Sequence, residues 1–331
     1  AIRKAVHGDV NHLEIAVDYT NIGNVYESQG QYTKALQFHQ KGLAIRKAIH
    51  GEVNHTDIAA NYSNIGRVYY LQGECTKALE FHQKSLTIRK ALHGDVNHLS
   101  IAISCSNIGS VYKSQGECTK AMEFHQKSLA IRKAVHSDVN HSDIAANYSN
   151  IGNVYKSQGE YTKALDFHQK SLAMRKAVHG DVNHPDIAAD YTNIGNVYKS
   201  QGEYTKALEF HVKSLAIKKD VHGDVNHPSI AISCSNIGIV YKSQGEYAKA
   251  LDFHKKSLAI RKALHGDVNH PDIASSCSKI GAVYKSQGQY TKALSYFQKC
   301  LDIRSRFFDD SHPDVVRVQN SIRILRRSLV G

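Results

Sequence analysis

The sequence contains no tryptophan and only four prolines in 331 residues, and none of its apolar runs is as long as a membrane span. A spanning helix needs roughly 20 consecutive apolar residues, so we expect no membrane segment. The phosphate-binding loop, the Gly-x-Gly-x-x-Gly motif and any Ser/His/Asp or Cys/His catalytic arrangement are also missing. These absences argue against an enzyme, a small-molecule substrate and a cofactor. The mean hydropathy of −0.42 predicts a soluble protein.

Cysteine is also sparse, and the six cysteines include no Cys-x-x-Cys pair. They stand where equivalent segments of the chain have tyrosine, serine or glycine, at Cys75, Cys105, Cys118, Cys234, Cys277 and Cys300. Small buried thiols in a reducing compartment explain this pattern better than disulfides or metal ligands. We therefore expect a cytoplasmic protein.

The charge is unbalanced, with a formal net charge of +12. Such a balance can indicate nucleic acid or a membrane surface as a partner. The lysines and arginines recur in every segment of the chain, however, and do not form one patch. We interpret them mainly as a solvated surface, and we expect neither nucleic acid nor a membrane as the partner.

The sequence contains seven consecutive copies of one 43-residue repeat unit. Glycine recurs at this step at Gly23, Gly66, Gly109, Gly152, Gly195, Gly238 and Gly281, and histidine at His12, His55, His98, His141, His184, His227 and His270. A fixed period of 20–50 residues is typical of a solenoid, whose units bury their apolar faces only against their neighbours. The repeat therefore predicts a long concave face suited to holding another polypeptide.

Each unit has the pattern of two helices, A and B. In helix A of the first unit, Ile15, Tyr19, Ile22 and Tyr26 recur at helical spacing. A glycine then follows at Gly30, which suits a left-handed cap. Every unit also has a glycine in the middle of helix A, equivalent to Gly23 of the first. Glycine destabilises a helix by roughly 1 kcal/mol relative to alanine, so its recurrence indicates that another helix packs closely at this point. We expect the facing residue on helix B to be the alanine equivalent to position 35.

Helix B of the first unit covers QYTKALQFHQKGLAIRKAIH. Arg46 and Lys47 fall in its last turns, where positive charge complements the helix dipole, and Gly51 can end it. The joint to the next unit reads HGDVNHPD in later copies. Proline is tolerated at the first position of a helix, because the N–H group that it lacks would have no partner there. The later copies have proline at this position, at Pro185, Pro228, Pro271 and Pro313.

The series Tyr19-x-x-Ile22-Gly23-x-x-Tyr26, followed by Ala35 and Phe38-His39, resembles the tetratricopeptide repeat pattern. Tyrosine or cysteine replaces the tryptophan of that pattern. The longer period and the HGxxNHPDIA joint are similar to kinesin light chain repeats. The resemblance implies an all-α, right-handed superhelical solenoid of antiparallel helix pairs. We expect residues 1–12 to end a preceding helix B and its joint, 13–311 to hold seven units, and 312–331 to form a capping helix.

In this family the concave wall is made by helix A, and extended peptides lie along it. On helix A, the residues away from the core face recur every 43 residues, and we call each set of equivalent positions a column. The columns give these peptide-binding candidates: Asn21, Asn24, Asn64, Arg67, Tyr70, Asn107, Lys113, Asn150, Asn153, Lys156, Asn193, Asn196, Lys199, Asn236, Lys242 and Lys285. Asparagine both donates and accepts, so it can hold a peptide backbone without reading side chains. The lysines favour an acidic partner. The alternative is a solvated face, or asparagines that bond neighbouring helices.

The second unit departs from the others with Arg67, Tyr70 and Leu71, residues that suit an interface anchor or reflect drift between copies. The 21 histidines follow no recognised metal-ligand spacing, so we expect helix capping by the joint histidines and no metal site.

The function predicted is a non-catalytic adaptor or scaffold, monomeric or weakly self-associating, that binds a protein or extended peptide. A self-associating structural array, or the sensing end of a larger signalling protein, is the alternative. Nucleic-acid binding is less favoured, because only Tyr70 offers a base-stacking aromatic on the exposed face.

Overall fold

The computed structural model describes residues 12–51, 53–94, 96–137, 139–180, 182–223, 226–266, 269–310 and 312–330. These residues form fifteen α-helices, and none of them lies in a strand. The all-α solenoid predicted from the repeat is therefore confirmed. The expected end of a preceding helix B, in residues 1–12, falls almost entirely outside the described residues. The chain divides into two compact units, Ala1–Gln158 and Gly159–Gly331, which we call the first and the second unit from here on. Each of them contains several of the 43-residue segments, which we call repeats.

In the first unit the helices are α1 (Leu13–Ser28), α2 (Tyr32–His50), α3 (Thr56–Leu71), α4 (Cys75–His93), α5 (Leu99–Ser114), α6 (Cys118–Val135) and α7 (Ser142–Ser157). Odd-numbered helices correspond to helix A and even-numbered helices to helix B. Helices α1, α3 and α5 each pack along the helix B that follows, and each of those B helices packs against the next helix A. The core lies in the seam between them, where Ile65 and Ile108 have no exposed surface.

In the second unit the helices are α8 (Tyr161–His179), α9 (Pro185–Ser200), α10 (Tyr204–His222), α11 (Pro228–Ser243), α12 (Tyr247–His265), α13 (Pro271–Ser286), α14 (Tyr290–Arg304) and α15 (Pro313–Val330). Proline begins α9, α11, α13 and α15, as the joint sequence predicts. The same alternating packing connects consecutive helices of this unit. That α15 serves as a cap stays a prediction.

The joint histidines cap the A helices. The Nδ1 atom of His55 accepts a hydrogen bond from the backbone N–H of Asp57 at 3.2 Å, and His141 does the same for Asp143 at 3.1 Å. At the other end of helix A, Gly30 adopts φ +72°, a left-handed conformation that glycine adopts without strain. Both capping predictions are confirmed.

The mid-helix glycines allow a close approach, but the facing residue differs from the prediction. A Cβ atom added to Gly109 would lie 2.9 Å from the ring of His125, and one added to Gly195 would lie 2.9 Å from the ring of His211. The imidazole of helix B therefore fills the space that the glycine leaves. The expected partner, the alanine equivalent to Ala35, is also fully buried. In the last repeat the backbone oxygen of Ala293 would lie 3.3 Å from a Cβ added to Gly281, as close as the ring of Phe297.

The cation near the end of helix B is buried, contrary to the helix-dipole interpretation of Arg46. Its equivalents recur at Arg89, Arg132, Arg175, Lys218, Arg261 and Arg304, each no more than 9% exposed. Arg132 donates from Nη1 to the backbone oxygen of Asp143 at 2.6 Å, and Arg261 donates to that of Asp272 at 2.8 Å. Five of these cations fasten their helix B to the first turn of the next helix A, at Arg89, Arg132, Arg175, Arg261 and Arg304. Arg46 instead donates to Thr20, and Lys218 donates to Ser233. The predicted dipole role of Arg46 is wrong because these side chains turn inward and are buried.

Candidate peptide-binding surface

Four of the sixteen predicted binding residues line one depression on the helix A side of the first unit. Asn64, Arg67 and Tyr70 project from α3, and Asn107 projects from α5. Together with the neighbouring side chains they enclose about 470 Å³. We call this cavity the α3/α5 depression. Leu71, the third unusual residue of the second repeat, does not line it.

The wall of the α3/α5 depression mixes polar and apolar groups. Ser63 and Ser110 add hydroxyl groups, and the side chain of Ile103 is 45% exposed at its edge. Buried His82 and Arg89 contribute to the lining from α4. Most of the lining residues are polar, unlike the predominantly apolar walls of small-molecule sites. The pattern of columns did not single out Ile103, because the adjacent repeats have Ala60 and Ala146 at this position and isoleucine recurs there only at Ile232.

The asparagine side chains in the depression have unused hydrogen-bonding capacity. Within the described part of the chain, the amide groups of Asn64 and Asn107 have no hydrogen-bond partner. Both residues are only partly buried. Each amide can therefore donate to and accept from a ligand backbone. The equivalent amides of Asn193 and Asn236 in the second unit likewise have no partner among the described residues.

Arg67 already binds within the protein. Its Nη2 atom donates to Oδ1 of Asn24 at 3.0 Å and lies 3.1 Å from Oε2 of Glu27. Burial raises the pKa of the Glu27 carboxyl, and the charge of Arg67 partly opposes that rise. Tyr70 bonds to Ser114 of the next repeat at 2.9 Å. These two residues therefore connect adjacent repeats, which leaves the positive charge of Arg67 partly neutralised.

The predicted lysine column lies beside the buried histidines. Burial is the main cause that lowers the pKa of His211 to about 4, and the charge of Lys199 adds to it. The pKa of His125 is lowered to about 4 in the same way, with the charge of Lys113 as the largest cationic contribution. Burial also lowers the pKa of Lys113 itself. The column therefore places positive charge on the helix A side of each of these repeats.

The remaining predicted residues lie along the helix A faces of their own units. Asn21, Asn24, Asn150, Asn153 and Lys156 belong to the first unit, and Asn193, Asn196, Lys199, Asn236, Lys242 and Lys285 to the second. In the second unit a further cation, Lys279, takes the asparagine position of α13. Its Nζ atom donates to Oγ of Ser235 at 2.6 Å, and burial lowers its pKa to about 8.

The joints bring together a second set of polar side chains. In four of them, two histidines and an aspartate place possible metal-ligand atoms within 4.8 Å of one another. These groups are His50, His55 and Asp57; His136, His141 and Asp143; His179, His184 and Asp186; and His265, His270 and Asp272. The two imidazole rings of each joint stack with centroids 3.5 Å apart. Sequence reasoning found the capping role of the second histidine and missed the cluster.

Burial suppresses the reactivity of the buried thiols. In the described part of the chain all six cysteines are free, and four of them are buried. Burial raises the pKa of the Cys300 thiol to about 11 and also raises the pKa of Cys105 and Cys234. Since the thiolate is the nucleophile, these groups are inert at neutral pH.

The helices pack in pairs, and short joints connect one pair to the next. This arrangement is that of a helical-repeat solenoid. Two tetratricopeptide repeat family models match the chain, one at residues 57–134, 143–220, 191–263 and 272–325 and the other at residues 19–57. The chain therefore belongs to the tetratricopeptide repeat family. Proteins built from these repeats are generally non-catalytic scaffolds. No curated protein matches the sequence.

Solved structures share the fold at low sequence identity. The structure of BtubC (BKLC) from P. vanneervenii is 21% identical, covers 71% of this chain and 90% of its own, and gives a TM-score of 0.53. A putative kinesin light chain with nearly identical TPR-like repeats from Podosopora anserina is 21% identical, covers 63% of this chain and 97% of its own, and gives 0.50. The apo form of RapI is 18% identical, covers 88% and 97%, and gives 0.59.

The fold is thus that of a kinesin light chain type array, as the joint sequence predicts. Among the described residues, no helix combines the length and the apolar character that crossing a membrane requires.

Proposed function

We propose that the chain is a non-catalytic adaptor that binds an extended peptide of a partner protein along its helix A faces. The observation that carries this proposal is the α3/α5 depression, in which the Asn64 and Asn107 amides face an open volume of about 470 Å³. An extended peptide presents alternating N–H and C=O groups, which asparagine matches with both of its own. The exposed side chain of Ile103 supplies an apolar contact for one ligand residue.

The partner is proposed to be acidic, because the lysine column contributes positive charge in both units, at Lys113 and Lys156 in the first and at Lys199, Lys242 and Lys285 in the second. In the first unit Glu27 opposes the charge of Arg67 at 3.1 Å. In the second unit Lys199, Lys242 and Lys279 line the helix A faces of successive repeats. Electrostatic complementarity of this kind increases association rates and weakens with added salt. The complex is expected to dissociate in the micromolar range and to weaken as the salt concentration rises.

Replacing Asn64 and Asn107 by alanine tests the depression. We expect N64A/N107A to weaken peptide binding by roughly tenfold, because each lost hydrogen bond contributes about 0.5–1.5 kcal/mol. The measurement is isothermal titration against acidic peptides selected from a random peptide library on the wild-type chain. A matched control is Asn97→Ala, an exposed joint asparagine outside the depression. Equal affinity of the double variant and the wild type would place the peptide elsewhere.

Reversing two lysine charges tests the acidic preference. We expect K199E/K242E to lower the affinity for an acidic peptide by about tenfold and to reduce the salt dependence of binding. The control is K206E/K249E, which makes the same change in net charge on B helices, where these lysines pair with Glu203 and Glu246. If both double variants weaken binding alike, net charge alone explains the preference and the lysine column has no specific role.

The proposed adaptor acts in the cytoplasm, and the six free cysteines support a reducing compartment. It is proposed to act as a monomer or a weak self-associate. Sedimentation velocity across a hundredfold range of protein concentration separates this from a self-assembling array. A mass that rises steadily with concentration, together with no peptide binding, would support the structural alternative.

A further inference from the structure

The four His/His/Asp clusters at the joints have no part in the proposed peptide site. Each forms where a helix B ends and the next helix A begins, so its three ligands are held by secondary structure on both sides. The first histidine lies at or just after the end of helix B, the second caps helix A, and the aspartate belongs to the first turn of helix A. The same arrangement recurs in both units.

The separations between donor atoms suit a shared cation better than a hydrogen bond. The Nε2 atom of the first histidine lies 3.6 Å from Oδ2 of the aspartate in the pairs His179–Asp186 and His265–Asp272. In the pair His136–Asp143 the distance is 3.7 Å. These distances exceed a good hydrogen bond. Two ligand atoms on one tetrahedral zinc ion, each about 2.0–2.1 Å from the metal, are separated by roughly 3.3 Å.

The first histidine has an unsatisfied nitrogen at this point. Among the described residues, the Nε2 atoms of His50, His136, His179 and His265 are buried and have no hydrogen-bond partner. Buried polar atoms in folded proteins are almost always paired. The same atom points toward the aspartate in all four joints, so an ion between them would satisfy both groups.

The cap fixes the tautomer of the second histidine. Because Nδ1 of His184 accepts the backbone N–H of Asp186 at 3.2 Å, the neutral ring carries its proton on Nε2. The lone pair of Nδ1 therefore lies on the side of the aspartate, 4.0 Å from Oδ2. A metal at this nitrogen replaces the cap bond, and the two stacked rings must tilt to aim at one ion. These changes lower the affinity below that of a preformed structural zinc site.

We propose that each of these four joints binds one divalent transition-metal ion of the zinc class, through two imidazoles, one carboxylate and a water molecule. Imidazole ligands favour zinc, copper and nickel over magnesium and calcium. Three protein ligands and an open position are a known zinc arrangement. The spacing His-x₄-His-x-Asp matches no recognised motif, so the sequence alone predicts no metal at these joints. Binding links consecutive repeats and stiffens the array where it turns between them.

Two joints within the same chain are natural controls. They carry serine in place of aspartate, at Ser100 and Ser229. The hydroxyl of each bonds Nδ1 of the capping histidine at 2.8 Å. The imidazoles still stack at 3.5 Å, so only the carboxylate differs. These serine joints lack the third ligand and are expected not to bind.

The test is titration of the full chain with Co²⁺ and Zn²⁺ at pH 7.5, following the visible absorption of bound Co²⁺ and its displacement by Zn²⁺. We expect the variant D57S/D143S/D186S/D272S to lose four equivalents of binding relative to the wild type. The variant S100D/S229D is expected to gain two equivalents, and S100A/S229A none. Zn²⁺ is also expected to raise the melting temperature of the wild type and not that of the quadruple variant.

The quadruple variant is expected to fold, because serine already occupies the equivalent position in two joints, where Arg89 still bonds the backbone oxygen of Ser100 at 2.9 Å. The gain-of-site variant keeps the test decisive if folding fails. Stoichiometry that does not change when serine becomes aspartate would show adventitious binding to surface histidines only, and would overturn the proposal. The result is independent of peptide binding, which is measured with metal removed by chelator.

Discussion

Acidification from pH 7 to pH 5 is expected to lower the free energy of unfolding by on the order of 10 kcal/mol, enough to unfold the array. The cause is the column of imidazoles that faces the mid-helix glycines. Five of these histidines have a pKa lowered from 6.5 to about 4, at His39, His82, His125, His211 and His254. Burial is the main cause at each, and neighbouring cations add to it.

The sign follows from the two states. In the unfolded chain each histidine takes up a proton near its ordinary pKa of 6.5, whereas in the folded chain it stays neutral until about pH 4. The stabilisation is therefore complete above pH 6.5 and is lost as the pH falls from 6.5 toward 4. Each histidine contributes about 2 kcal/mol of the loss at pH 5. Urea unfolding followed by circular dichroism at several pH values measures it.

The chain provides its own non-titrating control at this position. In the last repeat the equivalent residue is Phe297, packed against Gly281, where an added Cβ would be 3.3 Å from its ring. We therefore expect H125F/H211F to fold. Its free energy of unfolding should depend less steeply on pH than that of the wild type, by up to about 1.4 kcal/mol per pH unit for each histidine replaced. A pH dependence that is the same in this variant and the wild type would show that other groups cause the acid sensitivity.

Replacement of Asp190 by alanine is expected to cost about 3–5 kcal/mol of stability, the range for breaking one side of a buried ion pair. Asp190 has no exposed surface. Its Oδ1 atom lies 3.1 Å from Nη1 of Arg175, and Ser171 donates to both carboxylate oxygens at 2.9 and 3.0 Å. Without the carboxylate, the Arg175 guanidinium stays buried beside a cavity. Urea unfolding at pH 7.5 provides the measurement.

The natural replacements at this position define the control. The equivalent residue is Asn147 in the repeat before, where its Nδ2 atom donates to Ser128 at 2.8 Å. Asp190→Asn keeps the size and one acceptor for Arg175, so we expect a loss of about 1 kcal/mol, clearly smaller than for alanine. Equal losses in the two variants would contradict this expectation, because they would mean that the charge, which both variants remove, accounts for the whole cost and that the size and remaining acceptor of asparagine contribute nothing.

The repeat, the helix pairs and their caps could be predicted from the sequence because each depends on local chemistry. The spacing of Ile15, Tyr19 and Tyr26 is a property of one helix, and the left-handed glycine at position 30 is a property of one turn. A 43-residue period then requires that equivalent residues meet equivalent neighbours. The class of fold follows from these facts without any knowledge of long-range contacts.

The candidate site could be predicted only in part. Asn64, Arg67, Tyr70 and Asn107 meet in one depression because helices α3 and α5 are neighbours, which a period alone implies. That Arg67 is held by Asn24 and Glu27 depends on the reach of a long side chain across two repeats. A prediction from sequence spacing assumes that each side chain points away from its helix. It therefore overestimated the free positive charge of Arg67.

By itself, the sequence determined the class of fold, the helix boundaries to within a residue or two, and the helix A face as the surface to examine. Only the tertiary structure decided that Gly109 faces His125, that Arg132 turns inward, and that His136, His141 and Asp143 converge at one joint. The physical reason is that periodicity specifies which face of a helix is buried, whereas contacts between helices depend on side-chain length, rotamer and the crossing of the helices.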